Sequence, residues 1–111
     1  METESVKNRD FSIIGNKTED GVRFTLQGRI DYINASVLRH ELDEALNGGQ
    51  INIFLDMLRV EYLCSAGIGA ILKAYKKAGK EGGKLIIEHP SENVMYVLRI
   101  TSLDGMLVKQ N

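Results

Sequence analysis

Cysteine, proline and tryptophan are almost missing from this chain of 111 residues, which has 1 cysteine, 1 proline and no tryptophan. The single cysteine, Cys64, excludes an internal disulfide and any zinc site built from several thiolates. No Pro-rich linker or low-complexity tract interrupts the chain. An excess of one charge is also missing. The 14 basic and 15 acidic side chains leave a net charge of −1. That balance gives no global reason to expect nucleic-acid or membrane binding. No apolar run approaches the roughly 20 residues that a membrane helix needs. Met1 to Asp10 is polar and mixed in charge, unlike a secretory signal, so a cytoplasmic protein is expected. What is present is ordinary for a folded domain: 43% apolar and 26% charged residues. Residues 1–111 are expected to form one domain, with 1–10 as a frayed lead-in.

Phe11, Ile13 and Ile14 read as a short strand. Val22, Phe24 and Leu26 alternate with Arg23, Thr25 and Gln27, a second strand with one face in the core, ended by Gly28. Asn34 is the expected N-cap of a first helix, whose inner face is Val37, Leu38, Leu42, Ala45 and Leu46 and whose stop is Gly48-Gly49. Ile51 to Leu55 reads as a central strand covered on both faces. Ser65 opens a second helix, with Ile68, Ile71, Leu72 and Tyr75 inward and Lys73, Lys76, Lys77 and Lys80 on the opposite face. Lys84 to Ile87 is the next strand. Ser91 caps a third helix with Val94, Val97 and Leu98 inward. Asp104-Gly105 is a turn, and Met106 to Val108 a last strand. The order β-β-α-β-α-β-α-β predicts an α/β fold, a small mixed sheet packed with three to four helices. The two strand–helix–strand units give parallel neighbours, and the first strand pairs antiparallel with the second.

Candidate chemistry is sparse. His40 and His89 lie outside any nucleophile pattern and read as surface residues. Cys64 has two readings, a nucleophile ionised at a helix N-terminus or a small core residue. Gly67-Ile68-Gly69 is a fragment of a dinucleotide turn that lacks the third glycine, and small residues also let a helix start pack tightly on a sheet. The lysine stripe fits an acidic partner, a phosphate or plain solvent. Asp31 and Asp56 follow strands, where α/β proteins place sites and where an Asx turn is equally at home. No cofactor or metal is expected.

The stretch Asp56-Met-Leu-Arg-Val-Glu-Tyr-Leu-Cys-Ser-Ala-Gly-Ile-Gly69 resembles the core motif of the STAS domain family, named for sulphate transporters and anti-sigma factor antagonists. Gly28-Arg29-Ile30-Asp31 followed by Asn34-Ala35 is similar to the family's signature before its first helix, and Leu103-Asp104-Gly105 is loosely similar to its ending. The resemblance spans about residues 10–108 and agrees in element order. It implies a stand-alone anti-sigma factor antagonist that is not an enzyme. Such a protein binds an anti-sigma factor, itself a serine kinase, and frees the sigma factor. Phosphorylation of one serine releases it and a serine phosphatase resets it. That serine falls on Ser65, and the implied partner surface is Asp31, Asn34, Cys64, Ser65, Ala66, Gly67 and Ile68. Neither nucleic acid nor membrane is among the implied partners, and a monomer or weak dimer is expected. Two departures stand out. The family's Asp before the serine is Cys64 here, which points to the alternative of a non-phosphorylated scaffold or a regulatory subunit of a larger assembly. The family's frequent C-terminal helix has no counterpart. A small enzyme using Cys64 is the remote alternative.

Ser65 also suits a structural role, because serine is a good N-cap worth about 1 kcal/mol. A phosphate there would add about −1.5 to −2 charge at the positive end of a helix dipole. The fold would tolerate it, and a docked partner would not.

Overall fold

The period-two alternation at Val22, Phe24 and Leu26 becomes a strand in the computed structural model, which describes residues 3–109. In chain order the elements are β1 (Thr3–Lys7), β2 (Phe11–Lys17), β3 (Val22–Ile30), α1 (Tyr32–Asn47), β4 (Asn52–Leu63), α2 (Ser65–Lys80), β5 (Lys84–Glu88), α3 (Glu92–Ile100) and α4 (Asp104–Leu107). They build the expected α/β fold, a mixed five-stranded sheet in the order β1-β2-β3-β4-β5. β1, β2 and β3 run antiparallel in sequence, and β3, β4 and β5 run parallel.

Register places the apolar residues in rows. Gly15, Phe24, Leu55 and Ile87 lie side by side across four strands, and Val22, Ile53 and Leu85 form the next row. This face is buried; Ile53 and Leu55 are 0% exposed. It shares one core with Leu38, Leu42 and Leu46 of α1 and with Ile71, Ala74 and Ala78 of α2. Strand side chains alternate, so the rows between must face the other way. They hold Ile14, Thr25, Asp56 and Glu88, then Asn16, Arg23, Phe54 and Ile86. The centre of β4 is therefore covered on one face rather than two. On the open face the Phe54 ring lies under the Arg23 guanidinium and the Lys84 ammonium, at 5.1 and 5.5 Å.

The structure corrects several expectations. Residues 3–7 of the expected lead-in form an edge strand, with Val6 opposite Ile13. β2 supplies its ladder hydrogen bonds, so it needs no strong apolar alternation of its own; residues 1 and 2 lie outside the described residues. Gly28 does not end β3. It sits at φ +98° and passes the strand through a register shift to Ile30. β4 runs eight residues beyond Leu55. Its buried residues change from every second (Ile53, Leu55, Met57) to every third (Met57, Val60, Leu63). Two register shifts against β3 cause this, each adding one residue to β4, as a β-bulge does. The Asp56 carboxylate accepts the Leu58 N–H at 3.1 Å at the first of them, which is the Asx reading of that residue. α3 covers the exposed edge of the extension: Ser91 Oγ donates to Val60 O and Asn93 Nδ2 to Glu61 O, both at 2.6 Å. Ser91 Oγ also accepts the Val94 N–H and so caps α3. The expected last strand is the short helix α4, whose Leu107 is buried, followed by one parallel bridge from Val108 to Ile87.

Glu88, 8% exposed, is the buried acid of the open face. Arg23 Nε donates to its Oε1 at 2.8 Å and Nη2 to its Oε2 at 3.3 Å, with Lys109 Nζ at 4.0 Å. The hydrogen bond from Arg23 holds the carboxyl below its ordinary range against the opposing pull of burial. A folded-state pKa below the unfolded value contributes stability above the unfolded pKa and loses it as pH falls through the folded one. Glu88→Gln should therefore destabilise the protein at neutral pH and make little difference under acid conditions. Thermal melts of both proteins across the acid range measure this, and a pH-independent gap would contradict it.

Candidate functional site

β3 and β4 end side by side, with Arg29 opposite Tyr62 and Ile30 opposite Leu63. The Cys64 N–H then donates to Ile30 O at 3.0 Å. Consequently α1 and α2 begin next to each other, and their N-termini share one end of the sheet. This juxtaposition brings together the two segments singled out in the sequence.

Asp31, half-buried, is the N-cap of α1, and its carboxylate accepts the Asn34 N–H at 2.8 Å. Asn34 is therefore not the cap. It is 3% exposed and both ends of its carboxamide are hydrogen-bonded, Nδ2 donating to Arg29 O at 2.8 Å and Oδ1 accepting from Asn8 Nδ2 at 2.7 Å. Asn8 in turn accepts the N–H groups of Asp10 and Phe11 at 3.0 Å, and Arg29 N–H donates to Asp10 O at 2.8 Å. A polar network thus fixes the exit of β3 and aims the first turn of α1. Asn34 positions that turn; its side chain does not face outward.

Ser65 is the first residue of α2, and Cys64 is its N-cap. The expected serine cap is thus displaced by one residue. Cys64 makes no side-chain cap bond, so the first turn keeps N–H groups that no cap side chain satisfies. Ser65 is exposed, and Cys64 is half-buried against the core, where the small-core-residue reading places it. Cys64→Asp should raise stability by about 1 kcal/mol, since Asp is among the best N-caps and favours the dipole. A denaturant melt checks it; an unchanged midpoint would mean that the first turn is already satisfied.

The inner stripe of α2 is Gly67, Ala70, Ile71, Ala74 and Ala78, with Ile68, Leu72 and Tyr75 half-buried at its flanks rather than at its centre. Small residues let α2 lie close to its neighbours. A Cβ on Gly67 would come within 2.7 Å of Leu63 Cδ1 and 2.8 Å of Ile30 Cγ2. The Gly67-Ile68-Gly69 fragment therefore serves tight packing at Gly67. At Gly69 nothing lies within 4 Å of such an atom.

Sequence reasoning missed the apolar surface around these helix starts. Tyr32 and Ile33 are 81% and 71% exposed, and Tyr62 carries the Arg29 guanidinium 4.5 Å above its ring. Its signal was available: Tyr32 and Ile33 precede the buried stripe of α1. Between α1 and α2 lies a groove of about 530 Å³. His40 and His89 are exposed, 3.7 Å from Glu44 and 3.8 Å from Asp56. Among the described residues no cluster of His, Cys, Asp and Glu could hold a metal ion, and no helix is long and apolar enough to cross a membrane.

The family model described as STAS domain matches residues 14–110, which include both helix starts and the whole parallel part of the sheet. This chain belongs to the STAS domain family. An anti-sigma-B factor antagonist of Bacillus subtilis is 32% identical to the STAS domain over 92 residues, covering 82% of this chain and 83% of that one. The anti-sigma factor antagonist SpoIIAA in its unphosphorylated form shares the fold with a TM-score of 0.78 at 20% identity, covering 89% of both chains. The phosphorylated form of SpoIIAA from Bacillus gives a TM-score of 0.71 at 20% identity, with 89% of this STAS domain and 92% of that chain covered.

Proposed function

We propose that this STAS domain is an anti-sigma factor antagonist that docks on an anti-sigma factor serine kinase and is released when Ser65 is phosphorylated. The observation that carries this is Ser65 itself: exposed, at the uncapped start of α2, beside the start of α1 with its bare Tyr32 and Ile33. Asp31, Cys64, Ser65, Ala66 and Ile68 belong to the proposed contact face. Gly67 sets the close packing beneath it and Asn34 its orientation. The kinase transfers the γ-phosphoryl group of ATP to Ser65 Oγ, releasing ADP and the hydroxyl proton. The added charge sits on free N–H groups at the positive end of the helix, so the fold persists. The same charge cannot be buried against a partner without an unpaired cost. A serine phosphatase restores the binding form. In this reading the domain is a binding module and no enzyme, acting in the cytoplasm. The curated relative's name supports the antagonist role.

The test is incubation with the cognate anti-sigma factor and ATP, read by intact mass and by calorimetric binding, with Ser65→Ala as the blank. One added phosphate on the wild type, none on the blank, and loss of binding with modification is the expected result. Binding without phosphate incorporation would replace the switch with the scaffold reading, which Cys64 in the family's Asp position favours.

A further inference from the structure

The groove between α1 and α2 combines three features that packing within the chain does not require. Its floor is small: Ala66 and Gly69 line it, and a Cβ at Gly69 would meet nothing within 4 Å. Glycine weakens a helix interior relative to alanine, and here no internal contact demands it. One end is apolar and exposed, formed by Tyr32 and Ile33. Toward the other lining residues stand two exposed cations, Arg39 and Lys73, and among the described residues no carboxylate pairs with either.

We infer that this groove seats an amphipathic helix of a partner protein, with apolar side chains on the small-residue floor and carboxylates on Arg39 and Lys73. A trough between two helices, with a small-residue floor, suits a third helix laid along it. Apolar contact supplies affinity, and the two cations select an acidic occupant over a basic one. The inference extends the proposed docking face beyond Ser65 and rests on that reading only in taking the occupant to be a partner rather than a second copy of this chain.

Two synthetic amphipathic peptides of about 16 residues serve as probes, with leucines at i, i+4 and i+7 and flanking positions all Glu in one and all Lys in the other. Amide chemical shifts of the isotope-labelled full chain report the site. The Glu peptide is expected to shift Tyr32, Ile33, Gly69 and Lys73 and to bind at least about tenfold tighter than the Lys peptide. The double substitution Arg39→Glu, Lys73→Glu should reverse that preference. Gly69→Leu, at a position where a Cβ meets nothing within 4 Å, should fill the groove and abolish both. The peptides bring neither kinase nor ATP, so a failed kinase interaction and a failed groove are told apart. Equal binding of the two peptides, shifts centred on Phe54 and Ile86, or an unreversed preference in a folded double variant would overturn the inference. So would concentration-dependent self-association through the same residues, which would make a second copy the occupant.

Discussion

Gly28→Ala should cost about 3 kcal/mol or more of folding stability, because a left-handed backbone and a close approach of the chain coincide there. Gly28 sits at φ +98°, beyond the region where residues with a Cβ settle even under strain. The added Cβ would also overlap the Asp10 carbonyl oxygen and stand 3.0 Å from its carbon. That carbonyl accepts the Arg29 N–H, so moving it away breaks the bond that holds the bulge. The consequence reaches the site, because Arg29 O receives the Asn34 carboxamide and Asp31 follows two residues later. Gly82→Ala is the matched control. It has a φ of +86° but nothing within 4 Å of the new atom, so only the conformational cost of about 1 kcal/mol remains. Urea melts of the three proteins measure the difference. Equal losses at positions 28 and 82 would show that the close approach to Asp10 is absorbed by small movements.

Ser65→Asp should weaken binding to the anti-sigma factor by about a hundredfold or more, the approximate cost of leaving one unpaired charge in a desolvated interface. Folding stability should stay within about 1 kcal/mol, since an acidic residue in the first turn of a helix is favoured by the dipole. Ser65→Ala should bind like the wild type, because Cys64 and not Ser65 occupies the cap position and no cap bond is lost. Calorimetry gives the affinities and thermal melts the stabilities. Full affinity in a folded Ser65→Asp protein would remove Ser65 from the contact face. An equal loss in Ser65→Ala would mean that the hydroxyl itself makes the contact, and charge would no longer be the switch.

The two motifs are a case of sequence adjacency understating spatial adjacency. Gly28-Arg29-Ile30-Asp31 and Cys64-Ser65-Ala66-Gly67 lie more than thirty positions apart, yet a single hydrogen bond, Cys64 N–H to Ile30 O, joins them. Resemblance pointed to both segments as parts of one surface. Parallel pairing of β3 with β4 is what brings them together, because parallel neighbours place the helices that follow them at the same end of the sheet. Asn34 shows the converse. Its type suited a cap and a contact, but its buried partners, Asn8 and Arg29 O, lie on other segments and assign it to neither.

Wherever local periodicity governs burial, the sequence by itself determined the outcome. The alternation of β3, the inner faces of α1 and α3, the Ser91 cap, the order of elements from β2 to α3 and the two informative motifs were all legible, because each depends on neighbours within one turn or one strand. Tertiary structure alone decided the rest. β1 exists through pairing with β2, and the second half of β4 through bulges that change its period from two to three. The cap of α2 falls on Cys64 because β3 fixes where β4 ends, and the inner stripe of α2 is made of small residues because α2 must lie close to its neighbours. In the first of these the partner strand is near in sequence but its pairing is not written in the alternation of β1; in the others the controlling contact joins residues distant in sequence, and no short window along the chain contains both partners.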